Sequence, residues 1–228
     1  MSQIRTTHYG EPAERPVKAS HANPATSAAI EQHVTRYLGE PATVLHEFWA
    51  DQVHLDVFVV PATEDRPYQA LVTCGMSDHP MSIPAELADE VSRYAEMVML
   101  LPPDWPIGAD DSPSGWPVFW LKHLARFPDA YDTWLGYWHG MPNGQPAEPL
   151  GEGTAFTGVA ILPPIVPPEG FRELTMPDGR EVLFLAVVPL LPDELAATLA
   201  DGIDALLPGF EAHGVNELLQ PQRGSVLT

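Results

Sequence analysis

The first 23 residues carry no apolar periodicity and are expected to form a disordered arm, with residues 24–228 as the folded domain. Asn23-Pro24 then offers a helix cap followed by proline at the first helical position. Ile30, Val34, Tyr37 and Leu38 follow at i, i+4, i+7 and i+8, and Gly39-Glu40-Pro41 stops that helix. From Gln52 to Val60 the pattern switches to alternation, which predicts a half-buried strand; Tyr68–Thr73 reads as its neighbour. Residues 84–101 fit both a helix and an apolar strand, and are divided into helical turns near 84–92 and a strand at about 94–100. Pro117 opens a helix with Val118, Leu121, Leu124 and Ala125 on one stripe and Pro128 beyond its end. Phe156–Leu162 is a strand, and Phe171–Thr175 and Glu181–Val188 flank the turn Met176–Arg180. Pro192 begins a last helical region carrying Leu195, Leu199, Ile203, Leu206 and Leu207. Helices and strands mix without regular βαβ alternation, so the pattern predicts a single α+β domain.

Charge adds a constraint that periodicity does not. The chain holds 31 acids against 11 bases, a net charge of −20. Residues 1–40 are balanced, so the whole excess falls on residues 41–228. Such a surface repels phosphate backbones and anionic lipid, which argues against nucleic-acid and membrane partners and favours a basic protein. The bland alternative is that acidity only aids solubility. One cysteine, Cys74, excludes an internal disulfide framework, and no signal-type or membrane-spanning apolar run occurs; a cytoplasmic location is expected.

Candidate chemistry is thin. Ser77-Asp78-His79 has the residue types of a hydrolase, but adjacent side chains diverge and there is no Gly-x-Ser-x-Gly elbow. Cys74 is more simply a buried packing residue than a nucleophile. His54 and Asp56 share one face of a strand, and His79 or His139 could join them on a metal, yet no paired-histidine spacing supports this. Gly151-x-Gly153 with Gly158 lacks the Gly-Lys-Ser/Thr of a phosphate loop and reads as a flexible turn. Asp110-Asp111 and Asp193-Glu194 read as a solvated loop and a helix first turn. No cofactor is expected.

Four blocks, in order, resemble bacterial suppressor-of-fused domains. They are Leu71-Val72-Thr73-Cys74-Gly75-Met76-Ser77-Asp78; Ala95–Trp105; Trp116–Leu121 with Leu124-Ala125-Arg126-Phe127 and Thr133-Trp134; and Phe184–Pro189 leading to Asp193-Glu194-Leu195. The resemblance covers roughly residues 45–210. It implies a mixed β-sheet flanked by helices that works by binding, and it supports the strand at 94–100. Animal members hold a short transcription-factor peptide; bacterial members are similar to immunity proteins encoded beside polymorphic toxins. Two partner-contact positions of the animal proteins fall at Phe127 and Tyr137, where the hydroxyl and the charge of the animal residues are replaced. The animal ligand is therefore not expected to transfer.

An aromatic stretch supplies the rest: Trp116, Phe119, Trp120, Phe127, Tyr131, Trp134, Tyr137 and Trp138 cannot all share one buried stripe. Those outside the core would form an apolar patch beside acids, the composition of a protein-binding hot spot. The leading expectation is a non-catalytic immunity-type protein that binds a basic toxin. Trp120, Phe127, Trp134, Tyr137 and Trp138 would be its apolar anchors, with Asp129 and Asp132 steering approach. Two alternatives are a hydrolase or metal-dependent enzyme using His54, Asp56, His79 and Cys74, and a peptide-binding regulator.

Overall fold

The computed structural model describes residues 23–47, 53–88, 90–107 and 112–227. The predicted arm up to residue 22 and the pair Asp110-Asp111 lie outside them.

Eight strands form one sheet: β1 Thr43–Leu45, β2 Asp56–Val60, β3 Gln69–Cys74, β4 Tyr94–Leu101, β5 His139–Pro142, β6 Gly158–Leu162, β7 Glu173–Thr175 and β8 Glu181–Leu190. Their order is β1-β2-β3-β4-β8-β6-β5, with β7 paired to the first residues of β8. The β4–β8 pair is parallel and the other ladders are antiparallel, which makes the sheet mixed. Beyond that pair the chain's C-terminal segment takes over the edge of β4, with the Leu219 N–H donating to the Leu100 carbonyl at 2.8 Å.

Side-chain alternation divides the sheet cleanly. Val57, Val59, Leu71, Met97, Met99, Leu185 and Val187 face α2, Trp116–Tyr131. Phe58, Val60, Val72, Val98, Leu100 and Phe184 face α1, Pro24–Leu38. Further along that second face, Ala160, Val188 and Leu190 pack under α3, Pro192–Asp201, and α4, Leu207–His213. With helices on both sides, the central strands bury both faces, so β4 and β8 read as nearly continuous apolar runs.

This corrects the expectation for the first long strand. All five residues of β2 are buried, Asp56 included, because α1 covers the face assumed to be solvated. The strand also starts at Asp56, four residues after Gln52. Asp56 pairs with Cys74, and at Gly75 (φ 124°) the partner chain leaves the ladder, so residues 53–55 have no strand to pair with. A second correction concerns Pro128, which lies inside α2. It sits in the last turn, where only one helical hydrogen bond is forfeited, and Asp132 then ends the helix in the left-handed region at φ 49°. The short edge strands β1 and β5 carry no period long enough to be seen in sequence. Gly158 belongs to β6 and has a packing role: a Cβ there would meet Leu195 of α3 at 2.7 Å.

α1 begins as the sequence predicts, with the Asn23 side chain accepting from the Ala25 N–H at 3.1 Å and Pro24 first in the helix. The β7–β8 hairpin also forms at the predicted turn, with Gly179 at φ 88°.

Candidate partner-binding surface

The aromatic stretch leaves the end of α2 and runs along the sheet edge that β5 forms. Its members part company there. Trp120 and Phe127, on the core face of α2, are 3% and 7% exposed, so they are interior rings and not surface anchors in this conformation. The Trp120 indole N–H donates to the Leu150 carbonyl at 2.8 Å, and Phe127 packs on Tyr131 with ring centres 4.6 Å apart. Trp120 thus ties α2 to the loop at Leu150, while Phe127 joins the core between α2 and the sheet.

Trp134, Tyr137 and Trp138 lie further out. Trp134 is half-buried and meets His139 edge-on, ring centres 4.3 Å apart. Burial pushes His139 down to about 4, so it is neutral at pH 7 and adds no positive charge. Tyr137 donates its hydroxyl to the Phe184 carbonyl at 3.2 Å, and burial pushes it up to about 12. Trp138 is 40% exposed and stands at φ 74°, a conformation that bulky side chains adopt rarely and at a cost. Its N–H is fixed to the Ile161 carbonyl at 2.7 Å, directly before β5 begins. Asp129 is half-buried beside α2's end, and Asp132 is exposed, accepting from the Ser82 hydroxyl at 2.5 Å. Five of the seven predicted residues thus lie between the last turn of α2 and the head of β5, and the other two, Trp120 and Phe127, are interior.

Among the described residues, β5 has a ladder partner on one side only, β6. Pro142 ends it without an N–H to offer, a common guard on edge strands. On the second face α3 lies close above it, because Gly140 leaves no Cβ to strike Thr198. α3 and α4 bring exposed Asp193, Asp201, Asp204 and Glu211, and the chain from Leu191 to Gln222 has no lysine or arginine.

Most basic side chains in the domain are held by the fold, which leaves its surface acidic. Arg126 pairs with Glu47, Arg180 bonds the Ser77 carbonyl, and Arg172 bonds the Pro164 carbonyl. Arg223 pairs with Glu194, and Arg66 bonds the Tyr68 carbonyl.

The residues of the enzymatic alternative come together only in part. Asp56 stands between His46 and His54, at 3.2 and 3.3 Å, and opposite Cys74 in register. The Cys74 thiol is buried and pushed up, mainly by desolvation and then by Glu96, so it is protonated and a poor nucleophile. His79 is exposed at the end of the short turn Met76–Asp78. Among the described residues no group of three His, Cys, Asp or Glu side chains is arranged to hold a metal. The hydroxyl of Ser77 donates to Glu96 at 2.7 Å and is not paired with a histidine.

Glu96 was missed in the sequence, although a lone acid inside the apolar run 94–101 is a signal for a bonded, buried carboxyl group. It accepts from the Thr73 hydroxyl and from the Gly75 and Ser77 N–H groups, at 2.6, 3.0 and 3.0 Å. It therefore pins the Thr73–Ser77 segment. Gly75 is obligatory there, since a Cβ would fall 2.1 Å from the His54 carbonyl oxygen. Glu194 and Glu217 act likewise: Glu217 accepts from the Ile165 and Val166 N–H groups, and Glu194 from those of Leu191 and Val226.

The domain is a mixed sheet sandwiched by helices, with buried carboxyl groups bonded to loop backbone and an aromatic, acidic edge. The family model for suppressor of fused protein matches residues 51–224, and the chain belongs to that family. A suppressor-of-fused homolog from Neisseria gonorrhoeae aligns with a TM-score of 0.63 at 14% identity, over 88% of this chain and 96% of that one. The Sufu–Fu complex aligns at 0.61 and 16% identity, over 90% and 93%. Drosophila Suppressor of Fused aligns at 0.60 and 15% identity, over 90% of this chain but 52% of its own length. The second of these holds a protein partner, Fu. Among curated proteins, a tRNA dimethylallyltransferase of Rhodopseudomonas palustris is 36% identical over 72 residues, and the chain spans only 22% of its length. No helix among the described residues is long and apolar enough to cross a membrane.

Proposed function

We propose that this domain acts by binding a protein, as an immunity-type protein that captures and neutralises a basic toxin in the cytoplasm. The observation that carries the reading is Trp138. A large ring held in left-handed backbone and still 40% open to water carries a conformational cost that its partial burial offsets only in part, and such strain is typical of ligand clamps. Trp134 and Tyr137 flank it, Asp129 and Asp132 supply nearby negative charge, and Trp120 and Phe127 brace α2 from within. The family's immunity-like bacterial members, the Fu-bound structure and the −20 charge support a basic protein partner.

Co-expression with the product of the neighbouring open reading frame tests this. Complex formation and rescue from toxicity are expected, and Trp138→Ala should weaken the complex by about 30-fold, equivalent to ~2 kcal/mol. Absence of both complex and rescue would overturn the immunity role. The one-sided β5 edge favours a second reading, a regulator that binds an extended peptide by strand addition. In that case a short peptide of the partner would bind as tightly as the whole partner.

A further inference from the structure

A second surface lies well along α2 from this edge. Between the first turns of α2 and the loop at 150–152 is a depression of about 250 Å³, lined by Ser112, Trp116, Phe119, Leu150, Gly151 and Glu152, with Pro113 at its rim. That volume falls below the roughly 300–1,000 Å³ of small-molecule sites and suits one inserted side chain. Its walls are fixed. The Trp120 indole ties Leu150 to α2, and Gly151 lies so close to Trp116 that a Cβ would stand 2.5 Å from the Trp116 Cβ.

Phe119 is the most exposed Phe, Tyr or Trp among the described residues, at 47%. It does not swing freely: His123 stacks on it, centres 5.9 Å apart and 12° from parallel, and Trp120 meets its edge at 6.1 Å. An ordered exposed ring loses little entropy on binding. Glu152, exposed on the wall formed by the 150–152 loop, pairs with no base among the described residues. An aromatic face opposite a carboxylate is the chemistry that receives a cation, and a guanidinium can use both.

The start of α2 opposes this, since a helix N-terminus favours anions. Its effect is worth about half a charge and fades within one turn. Here it is blunted further, because Pro117 has no N–H and the Phe119 N–H is already bonded to the Gly115 carbonyl at 3.0 Å. A full carboxylate charge in a domain of strongly negative sign outweighs it. His123 is exposed, and its partial desolvation against neighbouring rings, with Arg126 adding to the effect, lowers its proton affinity, so the ring beside Phe119 is neutral near pH 7 and does not repel a cation.

We infer that the Phe119–Glu152 depression is a receptor for an arginine side chain of the partner protein. This deepens the basic-partner reading by naming a contact, and it is tested without the partner. Three capped tripeptides, Gly-Arg-Gly, Gly-citrulline-Gly and Gly-Glu-Gly, are titrated into the labelled domain and followed by amide NMR. The arginine peptide should shift the Phe119, Gly151 and Glu152 signals saturably at millimolar concentration, at least fivefold more tightly than citrulline. Phe119→Ala should weaken it at least fivefold, and Glu152→Gln should abolish the preference for arginine over citrulline. Equal binding of citrulline, stronger binding of the glutamate peptide, or an unaffected Phe119→Ala would each overturn the assignment. If the arginine peptide binds as expected and the co-expressed partner still forms no complex, the receptor stands and the immunity reading falls.

Discussion

At the scale of single residues, buried carboxylates do much of the structural work. Glu194 is fully buried and bidentate with Arg223, at 2.5 and 2.6 Å, while Arg223 also bonds the Pro189 carbonyl and lies over Phe156. Arg223→Ala would leave a buried charge unpaired, and should cost about 3–5 kcal/mol in urea unfolding. His139 gives a pH signature. Its folded value lies near 4, below the unfolded value of 6.5, so the unfolded state takes up a proton first as pH falls. Its contribution is complete above pH 6.5 and is lost on acidification towards 4. His33 and His123 are lowered too and act in the same direction. Glu96 and Glu217 are raised by burial and act oppositely, losing stability as pH rises above 4.5. The stability difference between wild type and His139→Gln isolates one group: at pH 5 it should be about 1–2 kcal/mol less favourable to wild type than at pH 7.5, after allowance for partial exposure. These residues were legible unevenly. Cys74 reads as a packing residue from its place after a strand, and is one. The roles of Glu96 and Glu217 depend on backbone N–H groups from distant loops, which no spacing rule reports.

At the scale of elements, the long ones were legible and the short ones were not. α1, α2 and β8 each repeat their period several times; the cap of α1 and the turn before β8 agree with it, while Pro128 misplaced the end of α2. β1 and β5, of three and four residues, have too few positions to show a period and exist because β2 and β6 offer edges. β5 is also where the proposed surface begins: its aromatic and acidic residues were named from the sequence, but the strand edge beside them was not. Trp138 is only partly covered, and Trp138→Ala should lower stability in urea unfolding by no more than about 1 kcal/mol, while weakening binding by more than that. A large loss of stability would instead make Trp138 a folding residue.

At the scale of the whole molecule, charge is the dominant property. With bases tied to carbonyls and carboxylates inside the fold, the surface field is negative, and association with a basic partner should be steered by it. Stopped-flow association rates should therefore fall at least tenfold between 20 and 300 mM salt, with dissociation rates much less affected. A salt-independent association rate would return the acidity to a solubility role. The sequence alone determined the family, through four ordered blocks, along with the long elements and the sign of the surface. Those are properties of local pattern and composition, which do not depend on which segments meet. Only the tertiary structure decided which rings face water, that β2 is covered on both sides, and which carboxylates turn inward. Each of those is set by contacts between residues tens of positions apart, and one strand's pairing or one helix's coverage reverses it.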